Sequence, residues 1–239
     1  MKIYIDSKMV KRNGKIGNIL KWISFGLLGI GVLMLFSQDE MLANQMYTML
    51  YFIAMIVAIF LSSISNYLNS RFGKSPRPDE LLDKALKGLD DKHSIYHYKL
   101  SIPHLLVGPS SLWVLIPTFV DGNITYDAKK KRWTQKGSSF VNRFFSREAF
   151  PNPQKDLEIY KKDLEKFLQK KGLNVDLPMK AAVILMNKKS VVVESDQNNF
   201  DDKLIIPYDK IKDRLRKSGK EIEPLPLNII SAIDEIQEK

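Results

Sequence analysis

Histidine is the residue type in this sequence best suited to bind a metal or to move a proton, and the chain has three. His93 and His97 are four residues apart, a spacing that on a helix would place both side chains on one face, where they could share a metal ion. The local pattern, however, predicts a loop that leads into a strand, so we interpret the pair as structural. For His104 we favour a hydrogen-bonded position in a sheet over a role as general base.

The acidic and hydroxyl side chains form no clear catalytic pattern. Four carboxylates late in the chain could hold a cation, but the asparagine-rich stretch around them favours a solvated loop. These carboxylates are Glu194, Asp196, Asp201 and Asp202. Ser110 and Ser111 have no sequence partner that would make either of them a nucleophile. The chain has no cysteine, which excludes disulfides, thiolate zinc sites and a cysteine nucleophile, and it has no phosphate-binding glycine loop or dinucleotide motif.

A run of four cations followed by a tryptophan is the candidate nucleic-acid-binding segment. Its residues are Lys129, Lys130, Lys131, Arg132 and Trp133. The cations could contact phosphates while a base stacks on the tryptophan. A solvated hairpin tip and contact with anionic lipid are the alternatives, and together we favour them. The net charge of +10 agrees with an anionic partner of either kind.

Two long apolar stretches near the N-terminus predict two membrane-spanning helices. The first covers residues 16–37, with Lys21 near its start, and the second covers residues 46–68 and has no charged residue. About 20 helical residues are needed to cross a hydrocarbon core of roughly 30 Å. A cleaved signal peptide is the alternative for the first stretch, and buried helices of a soluble protein are the alternative for both.

The distribution of basic residues predicts how these two helices are oriented. Five basic residues lie in the N-terminal segment 1–15 and three in the linker 69–78, whereas the connecting loop 38–45 has acids and no cation. Because cytoplasmic segments are enriched in Lys and Arg, we predict a two-pass cell-membrane protein with both termini in the cytoplasm and an extracytoplasmic loop. The lipid bilayer is then the first expected partner.

The remaining sequence predicts one soluble domain over residues 79–217 and a C-terminal helical tail over residues 218–239. A helix is expected after Asp79 as its cap, and a second helix from Asn152-Pro153 to Gly172. A hairpin is expected between residues 118–120 and 124–126, around an Asp-Gly-Asn turn, and residues 135–149 are expected to be a loop. The other expected strands are 96–102, 105–107, 112–116, 181–186, 191–194 and 204–206, and the last helices are 208–217 and one from Asn228. This order is typical of an α/β (α+β) domain with a mixed central sheet.

The stretch IPHLLVGPSSLWVLIPTFVDGNITYD, with Trp133 following, resembles the nuclease-related domain (NERD) family. In that family's pattern an Asp-His pair precedes a strand, and Gly-Pro-Ser-Gly then leads into an apolar strand that ends in Glu-x-Lys. A Gly-x-Ile strand, a tryptophan, an Asn-Pro-initiated helix and a late valine-rich strand follow. The resemblance spans roughly residues 79–217 and implies a restriction-endonuclease-like fold. It also implies a site in which an acid, Glu and Lys surround a divalent metal that activates water.

The positions that would carry that chemistry are occupied here by residues that cannot perform it. The acid position falls on Pro103, the Glu position on Ile116 and the Lys position on Thr118. An aliphatic side chain cannot ligate Mg²⁺. Pro117 is expected to end or bend the strand, since it has no N–H to donate.

We therefore expect a membrane-anchored NERD-like protein that is catalytically inactive, with no metal or other cofactor and no catalytic residue. It would act as a binding or assembly module for nucleic acid or for another membrane protein. The alternative is an active membrane-tethered nuclease whose Mg²⁺ ligands have moved to Glu80, Glu194 or Asp196.

Overall fold

The computed structural model describes residues 1–36, 45–99, 102–127, 132–137, 150–174, 177–192, 205–218 and 225–235. The chain divides into two compact units. The helical unit consists of the described residues of Ser7–Arg77, and the sheet unit consists of Met1–Asp6 together with the described residues from Pro78 onward.

The helical unit contains two long helices, α1 (Ser7–Phe36) and α2 (Gln45–Leu68), and α2 continues into a π-helical turn over Asn69–Gly73. Both helices are long and apolar enough to cross a membrane. Glycines let them approach closely, since a Cβ added to Gly17 would lie 2.9 Å from the Cβ of Leu68. At the same level the Ser65 hydroxyl donates a hydrogen bond of 2.8 Å to the carbonyl of Gly17. The two predicted apolar helices are thus present, although α1 begins well before residue 16.

The sheet unit is built on a six-stranded mixed sheet with the order β1-β2-β3-β4-β7-β9, and a second sheet has the order β6-β5-β8. The strand pairs β1–β2, β4–β7 and β7–β9 are parallel, whereas β2–β3 and β3–β4 are antiparallel. The strands are β1 (Lys2–Ile5), β2 (Ser94–His97), β3 (His104–Val107), β4 (Leu112–Thr118), β5 (Gly122–Asp127), β6 (Arg132–Lys136), β7 (Met179–Leu185), β8 (Ser190–Val192) and β9 (Ile205–Pro207). The prediction of a mixed α/β domain is confirmed.

Four helices cover the two faces of the six-stranded sheet. They are α3 (Pro78–Leu86), α4 (Pro153–Gln169), α5 (Ile211–Ser218) and α6 (Leu227–Asp234). Alternate residues of β4 point to opposite sides. Leu112 and Val114 join the core cluster that contains residues of α4 and α6, while Trp113 and Leu115 join the cluster that contains residues of α3 and α5. We call these sides the α4 face and the α3 face.

Several predicted elements are confirmed. The β3–β4 hairpin, β7 and the late helices lie where expected. The α4 helix begins at Pro153, with the Asn152 side chain accepting a hydrogen bond of 3.3 Å from the backbone N–H of Lys155. Gly172 follows the helix with a φ of 78°, a conformation that favours glycine.

Two predicted element bounds are wrong. The strand expected over residues 96–102 is β2, Ser94–His97, because Tyr98 has a φ of 57°, in the left-handed region where a strand cannot continue. Asp79 is the second residue of α3 and not its cap, since the helix begins at Pro78, a residue type that suits the first helical position.

The predicted hairpin between residues 118–120 and 124–126 is also wrong. Thr118 ends β4 in the six-stranded sheet, whereas β5 belongs to the three-stranded sheet and pairs with β6 and β8. Gly122 has a φ of 85°, so the Asp-Gly-Asn signal correctly marks a turn. The strands beside it diverge because Val120 and Ile124 pack into a separate small core with Val183.

Pro117 neither ends nor interrupts β4, contrary to expectation. The strand runs to Thr118, with Pro117 opposite Ile184 of β7. On the other side β3 pairs with β4 only from Leu112 to Val114. Among the described residues, Pro117 is therefore paired on one side only, and its missing N–H removes no ladder bond to β3.

The N-terminal strand β1 was not predicted at all. Residues 1–15 were expected to be a basic cytoplasmic segment, but Lys2–Ile5 pairs in parallel with Ser94–His97. The ring of Tyr4 stacks on that of Tyr96 with 5.0 Å between centroids. A four-residue strand is too short for its periodicity to be recognised in sequence.

Candidate functional site

Two histidines on neighbouring strands form a buried polar pair. His97 ends β2, His104 begins β3, and the antiparallel register places them directly opposite each other. His97 is two residues from Ile95 and His104 is two residues from Leu106, and both apolar residues belong to the core cluster of the α3 face. Residues two apart in a strand point to the same face, so both imidazoles lie on the α3 face. His97 is 0% exposed and His104 is 2% exposed, so their ring nitrogens must find partners within the protein.

The two imidazoles are joined to each other and to a carboxylate of α3. The Nδ1 atoms of His97 and His104 are 2.7 Å apart, and Nε2 of His97 is 2.9 Å from Oδ1 of Asp83. Because an ionised carboxylate can only accept a hydrogen bond, the Nε2–H group of His97 donates this hydrogen bond to Asp83. The short distance between the Nδ1 atoms requires one nitrogen to donate and the other to accept. One Nδ1–H therefore donates a hydrogen bond to the Nδ1 atom of the other ring.

A strained tyrosine and a second carboxylate lie beside this pair. Tyr98 has the left-handed φ of 57°, and its N–H donates to the Pro103 carbonyl at 2.7 Å. Its ring is 5.0 Å from that of His104, and its hydroxyl donates a long hydrogen bond of 3.4 Å to Oδ1 of Asp79. Asp79 and Asp83 are four residues apart on α3 and so share the helix face that meets the sheet.

Chemically, this group can hold one proton between two imidazoles, with a carboxylate orienting the first ring. Because buried polar groups are stable only when their hydrogen bonds are made, it also fastens α3 to the ends of β2 and β3. We call Asp83, His97 and His104 the histidine cluster.

Positions 116 and 118, where the NERD-like pattern would place a metal-binding Glu and a Lys, lie on the other face of the sheet. Ile116 lies on the same face of β4 as Leu112 and Val114, and it packs against the core cluster of the α4 face. Thr118 is 0% exposed, and its hydroxyl accepts a hydrogen bond of 3.4 Å from the Val120 N–H. Neither the isoleucine nor the proline at position 103 offers a side-chain oxygen, so these residues do not fit a divalent cation. Within the described ranges, no group of three or more His, Asp or Glu side chains could hold a metal ion.

The turn between β3 and β4 has a structural role. Gly108 donates a backbone hydrogen bond to the Ser111 carbonyl at 3.0 Å, and the Pro109 carbonyl accepts one of 2.7 Å from Leu225. The Ser111 hydroxyl accepts a hydrogen bond of 3.0 Å from the indole N–H of Trp113. The two serines are buried, and the Pro109 carbonyl connects the hairpin to the segment that precedes α6.

The predicted nucleic-acid-binding run is only partly described. Lys129, Lys130 and Lys131 lie outside the described residues, and Arg132 begins β6. The ring of Trp133 is 5.2 Å from that of Tyr126 and 5.1 Å from that of Phe150, and it packs against the small core that contains Ile124. Nucleic-acid binding by this run stays a prediction.

The third histidine makes a separate contact. His93 precedes β2 and is hydrogen-bonded through Nδ1 to Asp90. This contact holds the pKa of Asp90 below its ordinary value of 3.8. The late carboxylates Glu194, Asp196, Asp201 and Asp202 lie outside the described residues.

From the sequence, a shared site of His97 and His93 was considered and not favoured, whereas the pairing of His97 with His104 and with Asp83 was not predicted. A left-handed residue that ends one strand shortly before the next strand begins brings the adjoining side chains together. The carboxylates Asp79 and Asp83, four residues apart on the preceding helix, complete that pattern. The tight connection at Tyr98 was not recognisable, since tyrosine is not a residue type that favours a left-handed conformation.

No known protein family, characterised protein or solved structure shows a match to this chain. The resemblance to the NERD family rests on the residue pattern alone.

Proposed function

We propose that this chain is a two-pass cell-membrane protein with both termini in the cytoplasm. Its sheet unit would be a NERD-like domain of the restriction-endonuclease-like fold that has lost the nuclease centre. That domain would serve as a binding or assembly module for nucleic acid or for another membrane protein. The observation that carries the membrane part is the path of the chain, which leaves the sheet unit after Asp6, passes through α1 and α2, and returns at Pro78.

Exposed apolar side chains along both helices support a bilayer environment. Trp22 is 64% exposed, Leu33 68%, Ile56 67% and Phe60 65%. Soluble proteins rarely expose a continuous apolar surface of this kind, which argues against the alternative of buried soluble helices.

The position of β1 supports the proposed membrane orientation, and it also supports the view that α1 is not cleaved off as a signal peptide. Lys2–Ile5 pairs with β2, which follows both helices in sequence. Because β1 and β2 share one sheet, their pairing supports the proposal that both ends of the helical pair lie on the same side of a membrane, as two crossings require. Cleavage of a signal peptide would remove β1 together with α1, so this strand argues against that alternative. The basic residues before α1 and after α2 favour the cytoplasmic side.

The residue types at positions 103, 116 and 118 support the loss of the nuclease centre. Ile116 contributes to apolar packing where the family pattern has a metal-binding Glu. The alternative of an active nuclease requires ligands elsewhere, at Glu80, Glu194 or Asp196.

Single-cysteine labelling tests the membrane topology with little background, because the chain has no native cysteine. We would introduce Ser7→Cys, Ala43→Cys and Glu158→Cys separately and treat intact cells with a membrane-impermeant maleimide. Position 43 should be labelled from outside, whereas positions 7 and 158 should react only after permeabilisation. Labelling of position 7 or 158 in intact cells would overturn the proposed orientation.

Binding of nucleic acid is tested with the full chain in nanodiscs, because a fragment that starts after α2 lacks β1. A salt-dependent shift of DNA that is lost when Lys129–Arg132 are replaced by Ala would support nucleic acid as the partner. The control variant replaces four exposed lysines of α4 and its C-cap with Ala, at positions 155, 162, 166 and 170. Absence of any shift at low salt would exclude nucleic acid as the partner and leave another membrane protein as the candidate.

A further inference from the structure

The N-terminal turns of α1 carry four basic residues on one face. They follow i, i+3, i+4, i+7 spacing, which places their side chains in one stripe along a helix. They are Lys8, Lys11, Arg12 and Lys15, and we call them the basic stripe. All four are exposed, and the first turn of α1 has no acidic residue. In the described parts of the chain, none of the four forms an ion pair with a carboxylate.

The opposite face of the same turns is packed against the rest of the helical unit. Val10 is buried, and a Cβ added to Gly14 would lie 2.7 Å from the carbonyl oxygen of Phe72. A Cβ added to Gly17 would likewise lie 2.9 Å from the Cβ of Leu68. Because successive helical residues are about 100° apart, the centre of the basic stripe lies roughly 145° from this packed side. The stripe is therefore directed away from α2 and its π-helical turn.

The stripe lies just before the apolar part of α1. Lys15 immediately precedes the apolar stretch, and Lys8 is seven residues earlier, about 10 Å further along the helix axis. Each headgroup layer of a bilayer is about 5–8 Å thick. When α1 crosses a membrane, Lys15 and Arg12 are level with the headgroups, and Lys8 and Lys11 lie within side-chain reach of them.

We propose that the basic stripe binds the phosphate groups of anionic phospholipids in the leaflet where α1 begins. The proposal rests on the membrane-spanning function proposed for α1. Charge complementarity favours phosphodiester headgroups, because Arg12 can pair with two phosphate oxygens while the lysines act as point charges. A bilayer is also the anionic surface that meets the stripe by continuity of the helix, so lipid is favoured here over nucleic acid.

The test measures which lipid surrounds α1 in the full chain. A fluorophore is attached to Asn18→Cys, an exposed position near Lys15, and the protein is reconstituted in nanodiscs. Phosphatidylglycerol and phosphatidylcholine carrying the same acyl-chain spin label serve as quenchers. The control label is at Met49→Cys, which is exposed. It lies at the other end of the helical pair, since Gly17 meets Leu68 and Gly31 meets Met55.

At position 18 we expect phosphatidylglycerol to be preferred over phosphatidylcholine by at least about fivefold at low salt. Replacing the stripe with Lys8→Gln, Lys11→Gln, Arg12→Gln and Lys15→Gln should remove the preference. The charge-matched variant with Gln at positions 155, 162, 166 and 170 should keep it. Position 49 should show no preference in any variant.

Equal quenching by the two lipids at position 18, or the same loss in the charge-matched variant, would overturn the lipid site. An oligonucleotide that shields position 18 while the lipids show no preference would overturn it in favour of nucleic acid. Absence of quenching by either lipid at both positions would instead contradict insertion into the membrane, and with it the proposed function itself.

Discussion

The two faces of the six-stranded sheet bury different kinds of side chain near the ends of β2, β3 and β4. On the α3 face, Asp83, His97 and His104 bury polar groups that are joined by hydrogen bonds of 2.7 and 2.9 Å. On the α4 face, Ile116 fills the comparable position with apolar packing. Both choices are stable, since a buried polar group needs its partners and an aliphatic side chain needs only volume and contact.

This difference indicates which face of the domain still has side chains that could take part in acid–base chemistry. Around Ile116 the α4 face has the residue types of a core, whereas the α3 face keeps the titratable groups of the histidine cluster under a helix. The strained Tyr98 belongs to the α3 face as well, and strain of this kind persists only where the surroundings impose it. The comparison predicts that perturbing the two faces will have different energetic signatures.

Removing the central imidazole should have the largest effect. His97→Ala leaves Asp83 and His104 without their shared partner in a buried site, and we expect a loss of about 3 kcal/mol in the free energy of unfolding. Hydrogen exchange of the β2–β3 peptides in the full chain measures it. A double-mutant cycle with His104→Ala should show strong coupling, and strictly additive losses would mean that the cluster does not act as one network.

Truncating the apolar side chain tests the other face. Ile116→Ala should cost about 2 kcal/mol through lost burial and a partial cavity, and Ile116→Val about 1 kcal/mol. The graded loss with side-chain size is the signature of packing, and exchange of the β4 peptides provides the measurement. If Ile116→Glu were as stable as the wild-type protein, the site would accommodate a carboxylate and the contrast between the faces would be lost.

A nearly isosteric change separates charge from hydrogen bonding in the histidine cluster. Asp83→Asn can still accept from Nε2 of His97 through its amide oxygen, so the expected loss is about 1 kcal/mol. The same exchange experiment on α3 reports it. A loss equal to that of His97→Ala would show that the negative charge, more than the hydrogen bond, holds the cluster together.

The smallest effect is expected at the exposed pair Asp90–His93, which belongs to neither face. The hydrogen bond from His93 lowers the pKa of Asp90 from its ordinary 3.8. Its contribution is therefore present above pH 3.8 and lost as the pH falls through the lowered pKa. Because the carboxylate is largely exposed, Asp90→Asn should change stability by no more than about 0.5 kcal/mol. Urea midpoints of Asp90→Asn and wild type, compared above pH 3.8 and as the pH falls below it, check whether the stabilising contribution is lost on acidification.

The parts of the fold that local patterns determine were predictable from sequence. The α4 start at Asn152-Pro153, the β3–β4 hairpin and the two apolar helices follow from capping, turn residues and hydropathy. The pairing of β1 with β2 could not be predicted, because it joins residues separated by more than ninety positions. The diversion of β5 into a second sheet likewise depends on the burial of Val120 and Ile124, a tertiary effect.

The candidate site was less predictable than the fold. The sequence identified each histidine, but the meeting of His97 with His104 depends on the left-handed Tyr98, and that of His97 with Asp83 depends on how α3 packs on the sheet. Local sequence patterns encode neither of these. The replacement of the expected Glu and Lys by Ile116 and Thr118, in contrast, was evident from the sequence as soon as the NERD-like pattern was considered.

The most direct test of the proposal that this domain has lost a nuclease centre is a cleavage assay on the full chain in nanodiscs. The protein is incubated with DNA and with RNA in the presence of Mg²⁺ or Mn²⁺, beside a Glu80→Ala variant of equal stability. The account predicts no cleavage by either protein. Metal-dependent cleavage by the wild-type chain that Glu80→Ala abolishes would contradict it and establish the membrane-tethered nuclease.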